Sequence, residues 1–517
     1  MSSFLNGLKT ATNYTYTENG AVTHKSTGSA LYDMFAMGAA MRSRSDGDVI
    51  IMFQKAYEEN PTYALKCLFY LRDILEGQGE RRFFRVCMRW LASQHLESVS
   101  RNIAHIPEFG RWDDLYAFVK TPAEKTAFNF MYHQLAIDVE STTPSLMAKW
   151  LKSENTSSRE SRLLAKITRN YFNMTAKQYR KTLSILRKRI NVLERLMSEN
   201  RWDEIEFDKI PSKAGMIYKN AFARHDIERA RSEKNVQTYE EFAKDSTTKV
   251  NAKALYPYEC VKAAYKLMGN GLSFYDNWTP KVELDDTNRL MINKYWDNLT
   301  DYFNGAALNA IAVVDTSGSM TWPYGGTVCP IDVAISLGLY CAERNSGPFK
   351  NHYISFSSTP QLIETRGIDF CDKVNRIYKT NLCENTNIEA TFDLILDTII
   401  DNSIPTAEIP HNVIIISDME FDSARNDFSY NVRRRTYPKE TLMENISRKW
   451  RSLGFEMPNL IFWNVNARQD NIPMKSEYGI TFVSGFSPVI FEMIMSGKTG
   501  EDLMMDKLNS ERYACIK

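Results

Sequence analysis

The segment AIAVVDTSGSM, residues 310–320, constrains the fold of this chain more than any other feature. It opens with an apolar run of strand length that leads directly into a turn rich in Asp, Ser and Gly. Residues 331–342 then have the apolar spacing of a helix. Further strand-like apolar runs lie at residues 352–356, 412–416, 460–465 and 480–483. Apolar strands that alternate with turns and helices predict a doubly wound, Rossmann-like α/β sheet over residues 301–517.

The turn after the first strand carries three oxygen side chains in close succession, on Asp315, Ser317 and Ser319. Ligands of open α/β sheets bind beyond the carboxyl ends of the strands. Two other loops at predicted strand ends offer Thr386 and Asp418. Hydroxyl and carboxylate oxygens are hard ligands, so the set predicts a site for Mg²⁺, with Mn²⁺ or Ca²⁺ as alternatives. Helix capping by the same side chains is the competing interpretation.

This set of side chains predicts binding rather than catalysis. It contains no His or Lys placed for proton transfer, so an enzyme is not expected. The sequence also lacks a P-loop, a GxGxxG motif and an HExxH motif, and we therefore expect no nucleotide cofactor. A metal held in this way could take a carboxylate of an acidic partner protein.

Residues 29–300 have a different character, with apolar residues recurring at helical spacing and breaks at 60–61, 77–79 and 107–110. This pattern predicts antiparallel helix pairs of an α-solenoid, HEAT-like type. Residues 1–28 are predicted to form a flexible or strand-like arm. The charge is divided in the same way, with a net charge of +8 over residues 1–300 and −7 over residues 301–517.

The stretch 149–189 is the most basic part of the helical region. It holds twelve Lys or Arg and two acidic residues, with aromatic residues between them. Such a density of positive charge could neutralise phosphates of RNA, and the rings could stack on unpaired bases. A solvated helix face is the alternative. The glycine-rich segment 71–82 mixes both charge signs, which favours an interhelical turn with a salt-bridge network over a ligand loop.

Cysteine usage and hydropathy indicate where the chain works. The eight cysteines form no CxxC pair and lie in apolar segments, so we expect reduced, mostly buried thiols. No apolar run is long enough to span a membrane, and the first twenty residues are polar. We therefore expect a cytoplasmic protein without a membrane partner.

Eight segments in the same order along the chain carry a family resemblance. They are LRDILEGQGERRFFR (71–85), GRWDDLY (110–116), IPSKA (210–214), NAKALYPYE (251–259), DTSGSM (315–320), ISDMEFD (416–422), WNVNAR (463–468) and VSGFSP (483–488). On these segments the chain resembles the TROVE-plus-von Willebrand A architecture of the Ro autoantigen family, and more closely a related TROVE-like family. The metal-site loops match the metal-ion-dependent adhesion site of von Willebrand A domains.

The resemblance implies a helical ring closed by the A-type domain, and an RNA-binding scaffold for small noncoding or single-stranded RNA. The alternative is a protein–protein adaptor that uses the metal site without RNA. Similarity to Ro itself is remote in the helical half, so RNA contacts are carried over by analogy only. The candidate RNA-binding residues are Arg72, Arg81, Arg82, Lys166, Arg169, Lys177, Arg180, Lys181, Arg187, Lys188, Arg189, Lys213, Arg224 and His225.

Overall fold

The computed structural model describes residues 3–232, 234, 236–267, 286–323, 328–356, 359–379, 385–423, 440–477 and 479–517. Contacts divide the chain into two compact units that interleave along the sequence. We call them the sheet unit (residues 1–67, 255–285 and 299–510) and the helical unit (residues 68–254, 286–298 and 511–517). The division of the chain into 1–28, 29–300 and 301–517 stays a prediction.

The described strands all belong to the sheet unit. They are β1 (Tyr14–Tyr16), β2 (Val22–His24), β3 (Ala310–Asp315), β4 (His352–Phe356), β5 (Gln361–Glu364), β6 (Asn412–Ser417), β7 (Asn459–Asn464) and β8 (Ile480–Ser484). Strands β1 and β2 form an antiparallel hairpin. The other six form one sheet in the order β5-β4-β3-β6-β7-β8, in which only the β4–β5 pair is antiparallel.

Helices make up most of the remaining structure. In the first half of the chain they are α1 (Ser3–Thr12), α2 (Ala30–Met37), α3 (Asp46–Glu59), α4 (Pro61–Arg72), α5 (Arg81–Gln94), α6 (Leu96–Asn102), α7 (Ile106–Phe109), α8 (Glu124–Glu140), α9 (Met147–Trp150), α10 (Arg159–Tyr171), α11 (Ala176–Arg189), α12 (Leu193–Ser198), α13 (Ser212–Arg224), α14 (Asp226–Ala230) and α15 (Tyr239–Lys244). The later helices are α16 (Pro257–Leu267), α17 (Asp286–Asp297), α18 (Pro330–Arg344), α19 (Phe370–Tyr378), α20 (Ile388–Asp401), α21 (Leu442–Ser452), α22 (Val489–Met495) and α23 (Gly500–Leu508).

Burial explains why the parallel sheet forms from this sequence. All six residues of β3 are buried, and so are thirteen of the fifteen residues of α18, the helix that follows it. A parallel strand is covered on both faces, which is why its sequence is continuously apolar rather than alternating. Gly338 of α18 packs closely against Val314 of β3. A Cβ atom at position 338 would lie only 2.4 Å from Val314 Cγ2.

The sheet confirms the strand predictions at each apolar run, with shifts of a few residues at the ends. Strand β5 was not predicted, because three of its four residues are exposed and it shows no apolar run. The arm at the start of the chain contains the β1–β2 hairpin, which agrees with the strand-like alternative, but residues 3–12 form the helix α1, which was not predicted. The predicted break at 107–110 is wrong in part, since Pro107 lies in the first turn of the short helix α7, where its missing N–H costs nothing.

The helical unit is built from short helices with well-defined ends. Helix α5 begins after Glu80, whose side chain accepts hydrogen bonds from the backbone N–H groups of Arg82 and Phe83. The core includes Phe69, whose ring packs edge-on against Phe84. The helical character agrees with the prediction, whereas the repeat type and a closed ring stay predictions. Within the described residues no helix is both long and apolar enough to cross a membrane.

Candidate functional site

The sheet brings two oxygen-bearing loops to one point. Strands β3 and β6 are parallel neighbours, with Val314 paired to Ile416, so the loops that follow them begin side by side. The chain order reverses here, because β3 is followed by β4 on one side and lies against β6 on the other. Such a switch point opens a crevice outside the carboxyl ends of the strands, where α/β proteins bind ligands.

Four of the five predicted metal ligands are connected by hydrogen bonds at this point. The Asp315 carboxylate accepts from the backbone N–H of Ser317 at 2.9 Å and from Ser417 Oγ at 2.5 Å. The hydroxyls of Ser317 and Ser319 lie 3.1 Å apart. Ser319 Oγ donates to Asp418 Oδ2 at 3.2 Å. The two loops therefore present their side-chain oxygens to each other as a compact cluster.

The fifth predicted ligand, Thr386, is buried and is connected to the cluster through a residue that was not predicted. The amide of Asn19, in the β1–β2 hairpin, donates to Thr386 Oγ1 at 3.4 Å and to the backbone oxygen of Glu420 at 2.6 Å. Thr386 O also accepts from the backbone N–H of Asp422 at 3.0 Å. The predicted neighbours Cys383 and Glu384 lie outside the described residues.

The electrostatics of the cluster favour a cation. Asp315 and Asp418 are 0% and 1% exposed, and Glu420 is fully buried beside them. Burial, reinforced by the charge of Asp418, raises the pKa of the Asp315 carboxyl to about 7. Burial likewise raises the pKa of the Glu420 carboxyl to about 7. Buried carboxylates without sufficient positive charge are costly, and a divalent cation would offset that cost.

Arg468 is the positive group already present at the cluster. Its Nη2 donates to Asp418 Oδ2 at 3.0 Å, and its Nη1 pairs with Glu18 of the hairpin. Burial raises the pKa of Asp418, and the Arg468 guanidinium partly offsets that rise. The sequence predicts no role for Arg468 beyond its place in the segment 463–468, because no local pattern connects it with the loop of Asp418.

The donor set fits a hard divalent cation of the Mg²⁺, Mn²⁺ or Ca²⁺ type. Across the described ranges, no cluster of three or more His, Cys, Asp or Glu side chains is arranged to hold a metal, so the candidate centre depends on its serine and threonine hydroxyls. The side chains that contact Asp315 and Asp418 are serines and an arginine. The arrangement can therefore place several oxygens around one cation.

The candidate RNA-binding residues of the helical unit fall into three groups: residues used in internal contacts, half-buried residues and exposed residues. Two of them are used internally: Arg72 is 1% exposed and paired with Asp114, and Arg187 donates to the backbone oxygens of Ala148 and Leu151. His225 stacks on Trp202 with ring centroids 3.9 Å apart. Arg82 and His225 are half-buried, and so is Arg169, which pairs with Glu154. The exposed candidates are Arg81, Lys166, Lys177, Arg180, Lys181, Lys188, Arg189, Lys213 and Arg224.

The fold defines a class of protein in which one chain combines a helical unit with an α/β unit built on a mostly parallel six-stranded sheet. The chain belongs to the family described as domain of unknown function DUF2828, whose profile matches residues 17–163 and 133–306. The profile of domain of unknown function DUF7788 matches residues 309–514.

One relative and one solved structure are similar over most of the chain. The uncharacterized protein L728 of Acanthamoeba polyphaga mimivirus is 30% identical, over 95% of this chain and 86% of that protein. The crystal structure of the Deinococcus radiodurans Ro (RSR) protein is 14% identical, covers 93% of this chain and 96% of that chain, and has a TM-score of 0.39.

Proposed function

We propose that this protein is a non-catalytic scaffold whose sheet unit holds a divalent cation and uses it to capture a carboxylate of a partner protein. One observation carries the proposal: Asp315, Ser317, Ser319 and Asp418 form a hydrogen-bonded set of oxygens at the switch point of the sheet. A cation with fewer protein ligands than its shell requires keeps positions for water or for a partner's oxygen.

The roles of the residues follow from their chemistry. Asp315 and Asp418 supply the negative charge that attracts the cation, and Ser317, Ser319 and Thr386 supply neutral oxygens. A set with few charges leaves the bound cation electron-poor, which strengthens its attraction for an external carboxylate. When bound, the cation supplies a positive centre for that carboxylate. Arg468 holds Asp418 in place at 3.0 Å and limits the local negative charge.

Cation-dependent capture predicts a simple binding result. An Asp-rich synthetic peptide is expected to bind the full-length protein in Mg²⁺ at least about tenfold more tightly than in EDTA, because the cation bridges two sets of carboxylates. The Asn-substituted peptide should gain nothing from Mg²⁺. Fluorescence anisotropy of labelled peptides measures both affinities.

A matched pair of variants makes this test specific. Ser319→Ala removes one oxygen of the site and should reduce the Mg²⁺-dependent gain. Ser452→Ala changes a serine whose hydroxyl donates to Lys449 O at the end of α21, and this variant should retain the gain. Equal peptide binding with and without Mg²⁺ in the wild-type protein argues against carboxylate capture.

A second candidate function, RNA binding by the helical unit, is favoured by one specific observation. Helices α10 and α11 expose Lys166, Lys177, Arg180, Lys181 and Lys188. On α11, residues 177, 181 and 188 follow helical spacing and share a face. Cations on one face can neutralise neighbouring phosphates of single-stranded RNA. Because Arg72 and Arg187 are committed to internal contacts, we leave them out of this proposed surface.

RNA binding at this surface predicts a strong dependence on salt. The triple variant Lys177→Glu, Lys181→Glu, Lys188→Glu should weaken binding of a single-stranded RNA by about tenfold or more and flatten the plot of log affinity against log salt. Filter binding at several salt concentrations measures both quantities. Lys55→Glu, an exposed lysine of α3, is the control and should change neither. An unchanged slope in the triple variant would mean that this face does not contact RNA.

A further inference from the structure

A second charged cluster lies in the helical unit, far from the metal-site residues in sequence. We call it the arginine cluster, and it combines side chains from three of the segments that carry the family resemblance or the basic stretch. Its cations are Arg72, Arg81, Arg85, Arg111 and Lys152. Its carboxylates are Asp113 and Asp114.

The buried half of the cluster is satisfied internally. Asp114 is 1% exposed, and its two oxygens accept from Arg72 Nε at 2.9 Å and from Arg85 Nε at 2.7 Å. Close packing holds this pair, because a Cβ at Gly110 would lie 2.4 Å from Asp114 Oδ2 and 2.8 Å from Arg72 Nε. This half is a structural network of the kind that the sequence of residues 71–82 predicted.

The outer half of the cluster consists of Asp113 and the cations around it, which are Arg81, Arg85, Arg111 and Lys152. It carries more positive charge than its one carboxylate can neutralise. Asp113 accepts two hydrogen bonds of 2.9 Å from Arg111, one on each carboxylate oxygen, and Lys152 Nζ lies 3.6 Å from Oδ2. Arg85 Nη2 is 3.2 Å from Asp113 yet is buried without a hydrogen bond. The cluster as a whole sets five cations against two carboxylates, a surplus of three positive charges. The buried Nη2 group of Arg85, which has no acceptor, adds to the free-energy cost.

Arg81 is the cation of the cluster with the least compensation by negative charge, since only the more distant Asp113 acts on it. It is the first residue of α5 and is exposed, and among the described residues its guanidinium forms no ion pair with a carboxylate. Desolvation lowers the pKa of Arg81, the like charges of Arg111, Arg85 and Arg72 lower it further, and the charge of Asp113 offsets only part of this. Like charges that lie close together with too little negative charge lower the stability of a fold unless another favourable interaction compensates for their repulsion.

We propose that the outer half of the arginine cluster is a binding site for a phosphate-type oxyanion, held by Arg81 and Arg85. Arg111, whose Nε and Nη2 are engaged by Asp113, adds positive charge beside the site. Guanidinium groups bind phosphate in a bidentate manner, which spherical anions such as chloride cannot match. The site is reachable from solvent, since Arg85, Arg111 and Lys152 expose 29%, 21% and 27% of their side chains. Trp150 stacks against Arg111 at 4.1 Å and keeps that guanidinium oriented.

The oxyanion can come from a free phosphate compound or from the backbone of a nucleic acid, and the site does not depend on either proposed function. Inorganic pyrophosphate and a short single-stranded RNA without terminal phosphates distinguish the two sources. If pyrophosphate alone binds, the site takes free phosphates; if the RNA also binds and competes with pyrophosphate, the site takes phosphodiesters. RNA binding at α10 and α11 can fail while this site stands.

The test uses the full-length protein, inorganic pyrophosphate and calorimetry in a metal-free buffer of constant ionic strength. We expect wild-type protein to bind pyrophosphate and Arg81→Gln to bind it at least about tenfold more weakly. Arg180→Gln is the control, because it removes an exposed arginine of α11 outside the cluster, and it should bind like the wild type.

Thermal unfolding supplies an independent measurement. Pyrophosphate should raise the Tm of the wild-type protein more than sodium chloride of equal ionic strength. In the absence of pyrophosphate, Arg81→Gln should unfold at or above the wild-type Tm, because it removes like-charge repulsion, and pyrophosphate should no longer raise that Tm. The proposal is overturned if wild type shows neither binding nor stabilisation, or if Arg180→Gln loses as much affinity as Arg81→Gln.

Discussion

Replacing Asp114 with alanine is expected to lower the free energy of unfolding of the helical unit by about 3–5 kcal/mol. Asp114 is 1% exposed and accepts charged hydrogen bonds from Arg72 and Arg85, as well as one from the backbone N–H of Arg111 at 2.9 Å. Its removal leaves the Arg72 guanidinium, also 1% exposed, without its partner in a region that excludes water. An uncompensated buried charge is among the most destabilising consequences of a single substitution.

Urea unfolding followed by circular dichroism measures this loss. The matched control is Glu97→Ala, which also removes one carboxylate from an ion pair with an arginine, but on the surface of α6. Exposed pairs at this spacing contribute little, so the control should unfold near the wild-type midpoint. If the two variants unfold alike, the buried network does not stabilise the helical unit.

Replacing Asp315 with alanine is expected to reduce Mg²⁺ affinity on the order of 100-fold or more, because it removes a charged oxygen from the centre of the cluster. The same change should leave the metal-free protein as stable as the wild type or more stable. Asp315 is fully buried near Asp418, and a carboxylate in that position is costly until a cation joins it. Titration calorimetry gives the affinity, and thermal unfolding in EDTA gives the stability.

Asp401→Ala serves as the control for this prediction, since Asp401 is an exposed residue at the end of α20. It should bind Mg²⁺ like the wild type. Unfolding in Mg²⁺ and in EDTA adds a second comparison, because a bound cation raises the Tm by mass action. Wild type and Asp401→Ala should therefore gain Tm in Mg²⁺, whereas Asp315→Ala should not. An Asp315→Ala variant that binds Mg²⁺ normally would be incompatible with the proposed ligand set.

The local signals in the sequence were sufficient for the sheet and for most of the candidate centre. Buried parallel strands need continuous apolar residues, so β3, β6, β7 and β8 were visible as runs. The loops that follow two of them carry the oxygens, and parallel topology brings those loops together. Strand β5 escaped prediction because edge strands need no apolar run when most of their residues face solvent.

The residues that complete the candidate centre could not be found in this way. Asn19 and Glu18 lie about 400 residues from Glu420 in sequence, and their contacts depend on the hairpin docking within the sheet unit. Arg468 comes from the loop after β7, the strand that neighbours β6 in the sheet, and from there it reaches Asp418. No periodicity or spacing encodes contacts between loops so far apart in the chain.

The basic stretch shows a different limit of sequence reasoning. Composition gives the number of charged side chains, but it does not show which of them form contacts inside the folded protein. Arg187 and Lys188 are adjacent in sequence, yet Arg187 donates to backbone oxygens while Lys188 is exposed. The excess of positive charge around Arg81 was equally invisible in the sequence, because the other cations of the cluster come from the separate positions 72, 85, 111 and 152.

The most direct measurement of the central claim is an anomalous difference map from crystals of the protein grown with Mn²⁺. We expect one strong peak at the carboxyl ends of β3 and β6, with oxygens of Asp315 or Asp418 and of Ser317 or Ser319 at about 2.1–2.6 Å. A map without a peak at this point, or with these side chains directed away from one another, would contradict a cation-dependent function for the sheet unit.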